Sequence, residues 1–257
     1  MRPCVTLPLV VRGAEFGGPK PLFCVPLVAK DLNGLLSQAE VAHRFKADVV
    51  EWRVDSYGDL SHEGLIEAAH RLRSTVDHEP IVFTLRIAAE GGARELSQDV
   101  RRECINAVVQ SRVIDLIDVE LSNPPEMLKA IIDTARNHAT RVILSFHDFQ
   151  GTPSTETLLS KISEMITQGA DVAKIACMPQ DPGDVLRLLQ ATLSARHAHP
   201  AVPLCTMSMG RLGSLSRVAG FLYGSDMAFA VGQEVSAPGQ IPIRDARSMA
   251  EALLRYA

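Results

Sequence analysis

The chain has no Lys/Arg-rich run, and its 26 basic side chains are outnumbered by 30 acidic ones, for a formal net charge of −4. That balance excludes the electrostatic footprint of a nucleic-acid binder. It also lacks any stretch near the ~18 apolar residues needed to cross a bilayer. The apolar start, Met1 to Val11, contains Pro8 and runs into Arg12-Gly13 without a small-residue cleavage site. It therefore reads as one strand of a hairpin, turning near Gly13 and Gly17-Gly18, and not as a signal segment. Cysteine is sparse and unpatterned. Cys4, Cys24, Cys104, Cys177 and Cys205 are odd in number, widely spaced and without a C-x-x-C. Thiols in a reducing cytoplasm fit that pattern; a disulfide framework or zinc site does not. No H-E-x-x-H or Asp-rich loop occurs, so neither metal nor other cofactor is expected. Nor is there an internal repeat, a low-complexity tract or a linker. One domain spanning 1–257 is the expectation.

What is present is a regular alternation. Strand-like segments cover Leu22–Val28, Asp48–Arg53, Ile81–Arg86, Ile114–Glu120, Arg141–His147, Asp171–Ala176, Val202–Met209 and Ser225–Val231. Between and after them lie helical patterns: Asn33–Phe45, Ser61–Ser74, Ser97–Arg112, Pro125–His138, Ser154–Gln168, Pro182–His197, Ser214–Tyr223 and Arg244–Tyr256. Eight strand–helix units in one chain predict parallel pairing with right-handed crossovers, and their number and size match a closed (β/α)₈ barrel. An open doubly wound sheet is the alternative. It would usually carry a Gly-rich phosphate turn after its first strand, where this chain has Val28-Ala29-Lys30-Asp31.

One of these strands holds a lysine in its middle, in Ala170-Asp171-Val172-Ala173-Lys174-Ile175-Ala176. Two readings of Lys174 are open. It can snorkel to solvent from a strand end, or it can lie desolvated, as a free amine able to form an imine with a ketone. Cys177, three residues on, reads as a reactive thiol or as small core filling.

The strand ends bear on the choice, because barrel chemistry sits at the C-terminal ends of the strands. Period two puts Glu51 and Arg53 on one face, with Asp55 a further candidate, and Asp118 in phase with Glu120. Arg86 ends the third strand, with Glu90 four residues beyond, and His147 ends the fifth. Five strands carrying charge at the same end are hard to explain as packing, since unpaired buried charge costs several kcal/mol. Arg53, Arg86 and Arg217 are expected to lower the pKa of Lys174. His147 suits a base that later acts as acid, with Glu90 or Asp118 holding its tautomer. The turn Gly210–Ser214 is expected to offer backbone N–H groups to an anion, and Arg217 a bidentate fork. The activity deduced is imine chemistry on a small anionic hydroxy-ketone.

Taken together, these stretches resemble a known family, the type I 3-dehydroquinate dehydratases of the shikimate pathway. The matching runs are Glu51-Trp52-Arg53-Val54-Asp55, Thr84-Leu85-Arg86, Glu90-Gly91-Gly92, Ile117-Asp118-Val119-Glu120, Ser145-Phe146-His147-Asp148-Phe149, Ala173-Lys174-Ile175-Ala176, Met207-Ser208-Met209-Gly210, Ser216-Arg217 and Ser236-Ala237-Pro238-Gly239-Gln240-Ile241. They fall in family order across nearly the whole chain.

The resemblance implies a TIM barrel floored by the N-terminal hairpin, residues 1–20. It implies a Schiff base between Lys174 and the C3 ketone of 3-dehydroquinate. His147 would take the C2 proton and return it to the departing C1 hydroxyl, a syn elimination giving 3-dehydroshikimate, with Glu90 and Asp118 orienting His147. Arg217, Ser236 and Gln240 would hold the carboxylate side. Glu51, Arg53 and Arg86 would bind ring hydroxyls, while Met207, Met209, Phe229 and Ala237 would line the pocket. A cofactor-free cytoplasmic homodimer is expected, with no nucleic-acid or membrane partner. The same reaction serves aromatic biosynthesis, the role expected here, and quinate breakdown. Pro26, Phe146, Gly210-Arg211 and Asp226 depart from some members and bear on substrate contacts, not on the chemistry. A Schiff-base aldolase would share Lys174 but would need a phosphate site, and a non-catalytic relative would be expected to lack Lys174 or His147.

Overall fold

The computed structural model describes residues 2–233 and 237–256. Two short antiparallel strands come first, β1 (Leu9–Val11) and β2 (Ala14–Phe16), joined by Arg12-Gly13. Both turn residues have positive φ, 47° and 86°, the two-residue geometry that matches strand twist. Then follow β3 (Leu22–Leu27), α1 (Leu32–Arg44), β4 (Val49–Arg53), α2 (His62–Val76), β5 (Ile81–Thr84), α3 (Gln98–Gln110), β6 (Leu116–Glu120) and α4 (Pro125–Asn137). The second half adds β7 (Arg141–Asp148), α5 (Thr155–Gln168), β8 (Val172–Cys177), α6 (Pro182–Ala198), β9 (Leu204–Ser208), α7 (Ser214–Ala219), β10 (Met227–Val231), β11 (Ile241–Pro242) and α8 (Ile243–Leu254). The strands pair in parallel in the order β11-β10-β3-β4-β5-β6-β7-β8-β9, so the last long strand returns to the first. The expected (β/α)₈ barrel is the observed fold.

Local signals explain the helix starts. Asp31, Ser61, Ser97, Ser154 and Asp181 each accept a hydrogen bond from an N–H of the first turn. The main departure from the sequence reading is the helix expected over Ser214–Tyr223. It is α-helical only to Ala219 and tightens into a 3₁₀ turn, Gly220–Tyr223.

Period two sorts the barrel interior into layers. At the floor, every long strand turns an apolar side chain inward, among them Leu22, Val49, Val82, Leu116, Ile143, Val172, Cys205 and Met227. Val11 and Phe16 of the hairpin pack into this layer and plug it, Phe16 with no exposed surface, while Val10 and Glu15 alternate outward. Two residues further along the strands come Glu51, Thr84, Asp118, Ser145 and Lys174. The mouth layer holds Arg53, Arg86, Glu120 and His147. A separate apolar layer packs the outer strand faces against the helices, with Trp52 edge-on to Tyr57 and Phe83.

Between β9 and β10 there is no ladder, although the strands lie side by side. Asp226 and Ser225 stitch this seam. The Asp226 N–H donates to Leu204 O, its Oδ2 accepts from Leu204 N at 2.8 Å, and Ser225 Oγ accepts from Thr206 N at 3.0 Å. Arg196 from α6 and Arg2 from the N-terminal segment both pair with the buried Asp226 carboxylate. Burial raises that carboxyl's pKa, and the two guanidinium groups oppose the rise. Asp226→Ala would leave two buried cations without a counter-charge. Equilibrium denaturation should show a loss of about 3–5 kcal/mol, the cost of breaking a buried pair from one side; a loss below about 1 kcal/mol would show that other groups hold the seam.

Candidate active site

Strand register gathers the polar layers into one cluster. Thr84 lies opposite Asp118, Glu120 opposite Ser145, and Ser145 opposite Lys174. His147 pairs with Ala176, one layer above Lys174 on the adjacent strand. Above this cluster opens a cavity at the C-terminal mouth of the barrel. Glu51, Arg53, Arg86, Glu90, His147, Lys174, Met207, Met209, Arg217, Phe229, Ala237 and Gln240 all line it. Asp118 lies behind Lys174, and Ser236 is outside the described residues. Gly91, Phe149 and Ala176 also line the wall and were not singled out from sequence. Apolar or backbone contributors of that kind carry no chemical signature.

Lys174 does not snorkel; it is 3% exposed. Its Nζ donates to Asp118 Oδ2 at 2.6 Å, lies 3.6 Å from Glu51 Oε1 and sits 4.3 Å above the Phe229 ring. Burial favours the neutral amine, but Asp118 and Glu51 outweigh it and hold the pKa above the ordinary lysine range. This corrects the sequence expectation of a lowered pKa. Of the arginines expected to lower it, Arg86 does act in that sense, but its charge is shared with Asp118 and Glu120. The resting group is an ammonium.

Asp118 is corrected as well. Its carboxylate faces Lys174, Arg86 (2.8 Å) and Ser145 Oγ (2.6 Å), and it makes no hydrogen bond to His147. Burial would raise its pKa, but Arg86 and Lys174 bring it well below the usual carboxylate range. Among the described residues it is Glu90 that holds the imidazole. Its Oε2 accepts from the His147 backbone N–H at 3.0 Å and lies 2.9 Å from Nδ1, while Ser122 Oγ fixes the other oxygen at 2.6 Å. Nδ1 therefore carries the ring proton, and Nε2 keeps its lone pair. Burial, then the charges of Arg86 and Lys174, pushes His147 well below the ordinary imidazole range, so the ring is neutral at pH 7. Burial likewise raises the Glu90 carboxyl.

Arg53 is braced by both oxygens of buried Asp55 at 2.9 Å. Asp55 thus serves as Arg53's anchor and is not a pocket residue. Arg217 is different. It is buried, and among the described residues its guanidinium reaches the carbonyls of Phe229 (3.3 Å) and Pro238 (3.1 Å) and the sulfur of Met207. Among the described residues no carboxylate pairs with it, and Nε has no partner. Burial lowers its pKa to about 10. The turn Gly210–Ser214 does not line the cavity, contrary to expectation. Gly210 N donates to Pro238 O and its carbonyl is covered by Gly239, so the turn props the neighbouring loop instead.

Comparison with known proteins agrees with this geometry. Residues 23–255 match the family model described as Type I 3-dehydroquinase. The chain is 44% identical over 254 residues to the 3-dehydroquinate dehydratase of Aromatoleum aromaticum, covering 98% of this chain and 97% of the relative. Against the crystal structure of 3-dehydroquinate dehydratase from Geobacillus kaustophilus the TM-score is 0.97 at 40% identity, with all of both chains covered. A second structure, type I 3-dehydroquinate dehydratase from Clostridium difficile with covalently modified comenic acid, gives 0.94 at 33% identity, covering 97% of this chain and 99% of that one. With barrel, buried lysine and mouth-side charges all in family order, the chain belongs to the type I 3-dehydroquinases.

Proposed function

We propose that this protein dehydrates 3-dehydroquinate to 3-dehydroshikimate by syn elimination through a Schiff base on Lys174, as a hydro-lyase of aromatic amino acid biosynthesis. One observation carries the reading. A buried lysine, a neutral histidine on the next strand and a buried arginine without a carboxylate partner among the described residues all face one cavity. The first two suit imine formation and proton transfer, and the third suits a carboxylate ligand.

The steps follow from the side chains. As the ligand's hydroxyls and ketone displace its contacts with Glu51 and Asp118, Lys174 passes its proton to His147 Nε2. The amine adds to the C3 carbonyl, and His147 returns that proton to the carbinolamine hydroxyl, which leaves as water and gives the cationic imine. His147 Nε2 removes the C2 proton, drawn out by the cationic imine. The resulting enamine expels the C1 hydroxyl, which takes that proton from His147 and leaves as water. Hydrolysis then frees Lys174. Glu90 keeps the ring in the working tautomer throughout. Arg217, Gln240 and Ser236 take the carboxylate; Glu51, Arg53 and Arg86 take ring hydroxyls; Met207, Met209, Phe229 and Ala237 form the walls. No metal or cofactor enters this scheme.

The same reading takes 1–257 as one barrel domain acting as a cytoplasmic homodimer. All five cysteines are free thiols, and among the described residues no helix is long and apolar enough to cross a membrane. Exposed Leu212 and Leu215 at α7 and Met249 and Leu253 on α8 give adjoining helices an apolar face, which supports self-association. Sedimentation velocity should show twice the 27.9 kDa chain; a monomer at micromolar concentration would remove the dimer.

Three further outcomes test the chemistry. Borohydride added during turnover should attach ligand to Lys174, as read by peptide mass. In His147→Ala the imine should still form while elimination slows by about 10²–10⁴-fold. A label on another lysine, or near-normal turnover in that variant, would overturn the scheme. Arg217→Lys keeps the charge but loses the planar fork, so binding should weaken by roughly 1.5–3 kcal/mol. Strong inhibition by sugar phosphates, with carboxylates ignored and the Lys variant unaffected, would instead indicate an aldolase.

A further inference from the structure

The deepest polar feature outside the pocket walls is a line of buried charges that begins on α3, outside the barrel. Arg101 lies on the inward face of that helix and is 3% exposed. Its Nη2 donates to Glu120 Oε2 at 2.5 Å and to Leu85 O, and its Nη1 donates to Asn123 Oδ1 at 2.6 Å. Glu120 Oε1 in turn accepts from Arg86 Nη1 at 2.9 Å. Arg86 Nη2 meets Asp118 Oδ1 at 2.8 Å, and Asp118 Oδ2 takes Lys174 Nζ at 2.6 Å. Sign alternates at every contact from the helix to the amine.

We propose that Arg101 and Glu120 are positioning residues that set the protonation of Lys174 through Arg86 and Asp118. The inference rests on the reading of Lys174 as the nucleophile. Its logic lies in how Asp118 divides its two oxygens. While Arg86 and Ser145 hold Oδ1, only Oδ2 is left to stabilise the ammonium. Arg86 stays on Asp118 because Arg101 has already neutralised Glu120. Without Arg101, Glu120 draws Arg86 toward itself, Asp118 turns more of its charge to Lys174, and the ammonium is held more tightly. Without the Glu120 charge, Arg86 moves fully to Asp118 and the amine is released. The direct field of each charge acts in the same sense as this shift of partners.

The other groups facing Lys174 bear on the argument. Glu51 on β4 supports the ammonium, whereas Arg86 beyond β5 opposes it; the Cys205 thiol on β9, pushed up to about 12 by burial, is uncharged at neutral pH. Cys24 on β3 and His147 on β7 sense its charge, and the Phe229 face on β10 lies against it. None of these touches Arg101. A purely structural account is also weak, because buried ion pairs add little net stability over apolar packing of equal volume. Five consecutive buried charges ending on the amine are better explained by what they do to it.

The test needs no substrate. Ligand-free protein is treated with formaldehyde and cyanoborohydride across pH, and methylation of Lys174 is followed by peptide mass. The midpoint should move up by about half a pH unit or more in Arg101→Gln and down in Glu120→Gln. It should return toward the parent value in Arg101→Lys and in the Arg101→Gln/Glu120→Gln double variant. In turnover, kcat/KM of Arg101→Gln should fall about threefold at neutral pH and recover at alkaline pH, as a half-unit rise implies. Unmoved midpoints, shifts of the same sign in both single variants, or an equal loss of kcat/KM at every pH would overturn the proposal. The methylation arm decides the relay even where 3-dehydroquinate is not turned over, so failure of the dehydratase reading is seen separately.

Discussion

The contact between Lys174 and Asp118 sets the terms for the rest of the barrel mouth. An ammonium in a dry interior is unfavourable by several kcal/mol unless a carboxylate meets it. That carboxylate then needs its own cation, and so on outward. Arg86, Glu120 and Arg101 follow from that requirement, and each is buried. The amine is therefore kept charged at neutral pH by its neighbours.

Two apolar assemblies make that arrangement possible. Below, the floor layer and Phe16 fill the lower barrel with apolar side chains, and the cavity over the polar layer opens at the mouth. Around the outside, the helix-facing layer fixes strand spacing and register, and register alone puts Ser145 opposite Lys174 and Glu120. The polar layer has no tolerance for a one-residue slip, since every inward side chain would turn outward.

Much of this was legible in the sequence because strands report their faces directly. Glu51, Arg53, Asp118, Glu120 and Lys174 fall in phase by simple alternation, and the helix starts carry their own Ser, Asp and Pro signals. What was misread depends on distance in space. Whether Asp118 meets His147 or Lys174 is a matter of reach between strands, which spacing along one strand does not encode. The direction of the Lys174 pKa is hidden for the same reason: the arginines are visible in the sequence, but which carboxylates, Asp118 and Glu51, meet the amine is not. Arg101 and Arg196 were invisible, because a helical arginine looks solvated until packing turns it inward. The turn Gly210–Ser214 has an anion-binding composition, yet Pro238 and Gly239 occupy it.

Arg217 carries a consequence of a different kind. Among the described residues its buried guanidinium faces carbonyl dipoles and a thioether. On the proposed reading a carboxylate ligand would pair with it, so occupancy would contribute to the electrostatics of the native state as well as to the reaction's starting geometry. A ligand that binds only the folded chain deepens the native well by mass action. On that reading, substrate supply would bear on the protein's lifetime against proteolysis through one side chain.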